Sequence, residues 1–368
     1  MKKGFTLIEL LAVILILGVI ALIAIPVVSN VLEESKKGAL NVTIQNIEKG
    51  VISKCQLQQL KGLETNKLYI IKDGIISPTI DIKGNLPKNG LIEVDSNCDI
   101  KTYVHDSKYC VTKEFDETKI NETELDKCVP IVPNNDCFIF NDGIISEYKE
   151  TCPKNIIIPD KINNIEVKEV SNYSFNNLGI EKLYLPNTIV KIGNWAFSEN
   201  KLTYISIPPL VSTIGNYAFY NNNLTKVNFP SSLKTIGSSS FRDNELKSLH
   251  LPSSLTFVDK ASFNGNKLPD EQAFIYERNP DGSENKKVLV SYGGRNREYL
   301  IIPPNVETIK SWSMIYNSIK YLTIPNTVKS IETSAFNFNN LIVINMPGRT
   351  ENDLGDDWYT GEPTFNFE

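Results

Sequence analysis

Residues 200–219 read NKLTYISIPPLVSTIGNYAF, and most of the second half of the chain is a variation on this stretch. Its last residue belongs to a column, Phe175, Phe197, Phe219, Phe241 and Phe263, spaced 22 residues apart. Pro186, Pro208, Pro230 and Pro252 keep the same step. A second block resumes it at Pro303, Pro325 and Pro347, with Met314 and Phe336 in the phenylalanine position. A fixed period of this length is the mark of a repeat architecture. Each unit holds one short β segment, such as residues 182–185 or 321–324, that stops at proline because proline has no amide hydrogen to give. The Ile, Ala and Phe of each unit are expected to face inward. One unit cannot bury that face alone, so stacked neighbours complete a continuous core. Asn200, Asn222, Asn244 and Asn266 recur at the same step and are expected to satisfy backbone groups at each corner.

Working outward, the period breaks once. From Phe263 to Met314 there are 51 residues, two periods plus seven. The intervening 274–277 and 288–292 segments, with the turn Asn279-Pro280-Asp281-Gly282 between them, predict a hairpin insert near 274–295. Trp358, Tyr359, Phe365 and Phe367 are expected to cap the last coil. The unit N-x-L-x-x-L-x-L-P-x-x-L-x-x-I-G-x-x-A-F resembles the BspA-like leucine-rich repeats of bacterial surface proteins over roughly 136–368. That resemblance implies a β-solenoid of 22-residue repeats, and such repeats often carry an insert of this kind.

At the other end, Lys2-Lys3-Gly4 precedes Phe5-Thr6-Leu7-Ile8-Glu9-Leu10-Leu11, and residues 10–28 form 19 positions without a charge. At about 1.5 Å per helical residue this nearly matches a hydrocarbon core of about 30 Å. An ordinary secretory signal has a shorter apolar region followed by a small-residue cleavage site. Glu9 is the anomaly, since a carboxylate inside an apolar span is costly and functional by default. The arrangement resembles the signal of type IV prepilins and pseudopilins, and Gly18 and Pro26 fall where that family breaks its helix. The resemblance implies cleavage between Gly4 and Phe5 by a membrane prepilin peptidase, N-methylation of Phe5, and pairing of Glu9 with the new amine during assembly. It also places the N terminus in the cytoplasm and everything after the span outside the cell. An ammonium and a carboxylate buried among packed helices neutralise each other, whereas either alone is very unfavourable.

Beyond the span, Val31, Ala39, Leu40, Ile44, Ile47, Val51 and Ile52 keep helical spacing, so one helix is expected to reach about residue 60. Segments 67–72, 90–94, 100–104 and 109–112 read as short strands, with turns at Asp73-Gly74, Ser96-Asn97 and Asp106-Ser107. The expected fold is α+β. It runs from a leader at 1–4 and a transmembrane segment at 5–29 through a pilin-like head with a small antiparallel sheet at 30–130 to the repeat domain.

Six cysteines suit an exported chain. Cys137 and Cys152 flank a predicted hairpin whose Asn141-Asp142-Gly143 turn brings them together. Cys55, Cys98, Cys110 and Cys128 belong to the head, and three pairings stay open. The cysteine spacings are not those of zinc sites, and His105 and His250 lie far apart in sequence. Glu351, Asp353, Asp356 and Asp357 carry oxygen donors for calcium but lack the EF-hand spacing. Walker loops, nucleophile elbows and metalloprotease motifs are missing, so neither an enzyme nor a cofactor is expected. The net charge of −5 gives no basic footprint for nucleic acid.

The expected partners are the prepilin peptidase, the membrane, other pilin or pseudopilin subunits, and a protein or glycan ligand on host or neighbouring cells. The expected function is a minor or tip subunit of a type IV pilin-like assembly that displays the repeats for adhesion or protein binding. The alternative is a structural pseudopilin of a type II secretion-like or DNA-uptake machine.

Overall fold

The computed structural model describes residues 7–61, 67–72, 75–77, 80, 82, 86–87, 89–94, 98–106, 109–114, 117–122, 128, 130, 132–295, 297–350 and 357–367. The chain divides into two units, residues 1–130 and 131–368.

In the first unit, α1 (Leu7–Leu60) is a single helix of 54 residues that runs unbroken through Gly18 and Pro26. The side chains described between Leu11 and Val28 are exposed. Among the described residues no helix is long and apolar enough to cross a membrane; the side chains of residues 10, 12, 18, 21 and 23, inside the uncharged run, are not among them. The helix buries apolar side chains against the sheet from Leu40 onward. Leu40, Ile44, Ile47, Val51 and Cys55 are buried at steps of three and four, whereas Val31 is 64% exposed and Ala39 is open to solvent. The expected stripe therefore began too early. Apolar spacing continues above the point at which a partner surface exists.

The sheet has six antiparallel strands: β1 (Lys67–Lys72), β2 (Ile75–Ser77), β3 (Asn89–Val94), β4 (Ile100–Asp106), β5 (Tyr109–Glu114) and β6 (Glu117–Glu122), in the order β2-β1-β3-β4-β5-β6. The sequence reading missed β2 and β6, which occupy the two edges. Its turns at 73–74, 96–97 and Ser107 lie outside the described residues. Glu48 faces the sheet from the helix and is buried, but not alone: Lys113 Nζ lies 2.8 Å from Oε2, and Thr102 Oγ1 donates to Oε1 at 3.4 Å. A buried carboxylate without such partners would be strongly destabilising. Higher up, the Tyr109 hydroxyl donates to Glu33 at 2.5 Å.

The second unit is the solenoid. Its residues at 169–170, 191–192, 213–214, 235–236 and 257–258 form one parallel ladder, each pair 22 positions on from the last. An antiparallel hairpin, Phe138–Asn141 with Ile144–Tyr148, opens it. A second row of three-residue strands includes Lys182–Tyr184, Tyr204–Ser206, Lys226–Asn228 and, in the later block, Tyr299–Ile301, Tyr321–Thr323 and Val343–Asn345. Inside, the column phenylalanines stack: Phe175, Phe197, Phe219, Phe241 and Phe263 follow one another with ring centroids 5.1–5.5 Å apart, and all are fully buried.

The corner asparagines satisfy backbone groups that this stacking buries. Asn200 Nδ2 donates to the carbonyls of Phe175, Phe197 and Ser198, while its Oδ1 accepts the amides of Leu178 and Ile180. Asn222, Asn244 and Asn266 repeat the pattern one coil on. The glycine of the I-G pair has its own reason. A Cβ on Gly215 would stand 2.6 Å from Asn194 N, where Asn194 Oδ1 accepts the Asn216 amide.

The insert is a hairpin of Phe274–Arg278 and Glu284–Tyr292, and the second strand joins the ladder of the later block through Val288 and Leu289. At the far end, Trp358 is buried against Phe336, and Tyr359 and Phe365 pack behind it.

Candidate functional site

Gly4 and Phe5 lie outside the described residues. Glu9 falls within the backbone of α1, but its side chain is outside them as well. The cysteines form three disulfides, Cys55–Cys98, Cys110–Cys128 and Cys137–Cys152, with Cα separations of 5.6–5.9 Å. The first ties α1 to the sheet, the second fastens β5 to the segment after β6, and the third closes the opening hairpin of the solenoid. Of the calcium candidates, Glu351, Asp353 and Asp356 are outside the described residues and Asp357 is exposed. Among the described residues no group of His, Cys, Asp and Glu is arranged to hold a metal ion. His105 is buried in the head sheet and His250 is exposed in the other unit.

A different feature dominates the solenoid surface. At the corner flanking each column phenylalanine, the residues two before and two after it adopt a left-handed backbone conformation. Several of these positions carry aromatic rings: Tyr173 (φ 61°), Trp195 (56°), Tyr217 (56°), Trp312 (62°), Tyr316 (58°) and Phe338 (60°). A bulky residue at positive φ is a genuine outlier. The rings form a relay. Tyr173 stacks on Trp195 at 5.9 Å and Trp195 on Tyr217 at 4.1 Å, and the Tyr220 ring meets both Trp195 and Tyr217 edge-on at 5.7 Å.

The Arg242 guanidinium carries the relay over the insert, 5.5 Å from the Tyr220 ring and 4.7 Å from that of Tyr316, which stacks on Phe338 at 4.5 Å. Lys260 lies 4.8 Å from the Trp312 ring. Tyr173, Tyr316 and Phe338 are 59%, 48% and 58% exposed. Beside Arg242, burial holds the Asp243 carboxyl above its usual range, against the pull of Arg242 and Arg295. The Tyr220 hydroxyl is likewise pushed up by burial, with Asp243 adding to the effect.

The sequence reading did not anticipate this ridge. The signal was the column two positions before the phenylalanines, which reads Tyr, Trp, Tyr, Ser, Ala, Trp, Ser and so changes character from unit to unit.

The geometry defines a class, a parallel solenoid of stacked leucine-rich coils that follows a helix-and-sheet head in the sequence. A model of the BspA type leucine rich repeat region matches residues 146–269 and 292–359 in six copies, and the prokaryotic N-terminal methylation motif matches residues 1–25. The repeats cover just over half of the chain, which belongs to the BspA type leucine-rich repeat family. No curated protein matches it.

Among solved structures, the pneumococcal vaccine antigen PcpA is similar at 17% identity and a TM-score of 0.40, over 66% of this chain and 81% of that one. A leucine rich cell surface protein from Faecalibacterium prausnitzii is similar at 18% identity and a TM-score of 0.35, over 66% and 76%. A leucine-rich repeat protein from Bacteroides ovatus gives 16% and 0.33, over 66% and 70%. The methylation motif together with the repeat domain fits a type IV pilin-like surface protein.

Proposed function

We propose that this chain is a minor or tip subunit of a type IV pilin-like assembly that displays its repeat domain for adhesion or protein binding. The observation that carries the reading is the N-terminal methylation motif at residues 1–25 on the same chain as a long repeat solenoid. The uncharged run of residues 10–28, exposed where its side chains are described, supports a membrane anchor with the N terminus in the cytoplasm and the later units outside. In this reading a prepilin peptidase cuts between Gly4 and Phe5, the amine of Phe5 is methylated, and Glu9 meets that amine as sister subunits pack. A solenoid offers an extended surface suited to large partners. The work of the protein is binding, not turnover.

Mass spectrometry of the native N terminus, with immunogold labelling of intact cells and sheared material, tests the reading. The expected result is a mature chain beginning at N-methylated Phe5 and found in filaments. Processed protein confined to the membrane would replace it with a pseudopilin of a secretion or uptake machine. An intact Met1 would overturn both.

A further inference from the structure

The aromatic ridge is not required by the fold. The corner positions two before the column residue also hold Ser239 (φ 53°), Ala261 (56°) and Ser334 (62°), and those two after it, where Tyr316 and Phe338 stand, hold Asn177 (53°), Asn221 (51°) and Asp243 (54°), all with the same backbone conformation. A small residue therefore builds the corner at least as well, and with less strain than tyrosine or tryptophan. The corner backbone therefore does not impose the rings at Tyr173, Trp195, Tyr217, Tyr316 and Phe338.

We infer that this ridge is a docking surface for a proline-rich polypeptide in the polyproline II conformation, a choice that rests on the reading of the repeat domain as a protein-binding module. Hydrogen bonding favours that occupant. Among the described residues, the hydroxyls of Tyr173, Tyr217, Tyr220 and Tyr316 and the indole N–H of Trp195 make no hydrogen bond to another protein group and stay available to a ligand. A polyproline II segment has no internal hydrogen bonds, and its prolines present carbonyls but no N–H groups. A row of donors set among apolar ring edges thus faces a ligand that is all acceptor and apolar ring.

Spacing points the same way. The coils are parallel strands in register, so they repeat at about 4.8 Å and every second coil at about 9.6 Å. A polyproline II turn of three residues advances about 9.3 Å. A peptide lying along the solenoid axis returns the same face to the ridge at every second coil. Rigid Tyr and Trp side chains lose little freedom on binding, and the extended ligand is already ordered. Arg242, held between Tyr220 and Tyr316, keeps the ridge continuous over the insert, so one peptide can touch both repeat blocks.

The test is fluorescence anisotropy of fluorescein-labelled dodecaproline titrated with the full-length protein in detergent micelles, with a Gly-Ser peptide of equal length as control. The expected result is saturable binding of dodecaproline with a Kd below about 1 mM. The double variant Trp195→Ser, Tyr217→Ser, which installs the residue found at position 239, is expected to weaken it about tenfold with thermal unfolding unchanged. Should that variant not fold, Tyr173→Ser alone, at the exposed end, is expected to weaken binding about threefold. No saturable binding at millimolar concentration, equal binding by the folded variants, or ring-dependent binding of cellohexaose in place of dodecaproline would each overturn the inference. Any of these leaves the processing and surface-display test standing, so the two readings fail separately.

Discussion

Ser262 occupies a column divided between serine (Ser174, Ser240 and Ser313) and alanine (Ala196, Ala218 and Ala335), is wholly buried, and has no hydrogen-bond partner for its hydroxyl. An unmet buried hydroxyl costs on the order of 1 kcal/mol. Ser262→Ala is therefore expected to stabilise the solenoid by about 0.5–1 kcal/mol, read as a higher denaturant midpoint. The corner asparagines predict the opposite. Asn222→Ala would strip the acceptor from the buried Leu202 amide and the donor from the carbonyls of Phe197 and Phe219, at a cost of about 3 kcal/mol. Glu307 links three coils by accepting from Lys287 and Lys329, and these bonds draw its carboxyl down to about 2 from an ordinary 4.5. A carboxyl depressed in the folded state contributes stability above its unfolded pKa and loses it as the pH falls through the folded one. The Glu307 contribution is thus complete above about pH 4.5 and lost by about pH 2. Glu307→Gln is expected to flatten the pH dependence of unfolding within that window alone, as followed by circular dichroism.

At the scale of elements, the hairpin closed by Cys137–Cys152 seals the first coil, whose Phe138 and Tyr148 rings begin the stack that continues into Phe175. Replacing both cysteines by alanine opens a loop with a sequence separation of 15 and is expected to cost about 3 kcal/mol. Hydrogen exchange should show the loss first at residues 138–148. The repeat was legible because one column of phenylalanines at a constant step can satisfy only a stacked core. Edge strands β2 and β6 were not, because IIS and ETKINE carry little of the period-two alternation that marks a strand with one buried face. Nor was the pairing of the four head cysteines, since the partners meet only once the sheet has brought residue 98 to residue 55 and residue 128 to residue 110. The aromatic ridge escaped for a related reason. Exposure of those rings follows from a left-handed corner, and no local propensity signals a bulky residue there.

For the molecule as a whole, the period makes coils interchangeable in register though not in surface. Deleting residues 200–221 removes one coil and brings Asn222 to the place of Asn200, so a cooperative unfolding transition is expected to survive at a lower temperature. Deleting residues 200–210, half of that length, puts every later phenylalanine out of column and is expected to abolish the transition in a calorimeter. The head disulfides have a different kind of consequence. Tension between the N-terminal helix and the solenoid passes along covalent bonds from Cys55 to Cys98 and from Cys110 to Cys128, bypassing loops with sequence separations of 43 and 18 residues. At roughly 3.4 Å per extended residue, those shortcuts keep on the order of 200 Å of chain from paying out. Under load the head can lengthen through β4 and its short flanks while β1, β2 and β3 stay slack inside a closed loop. Oxidised, it is a short tether, and reduced, a long one.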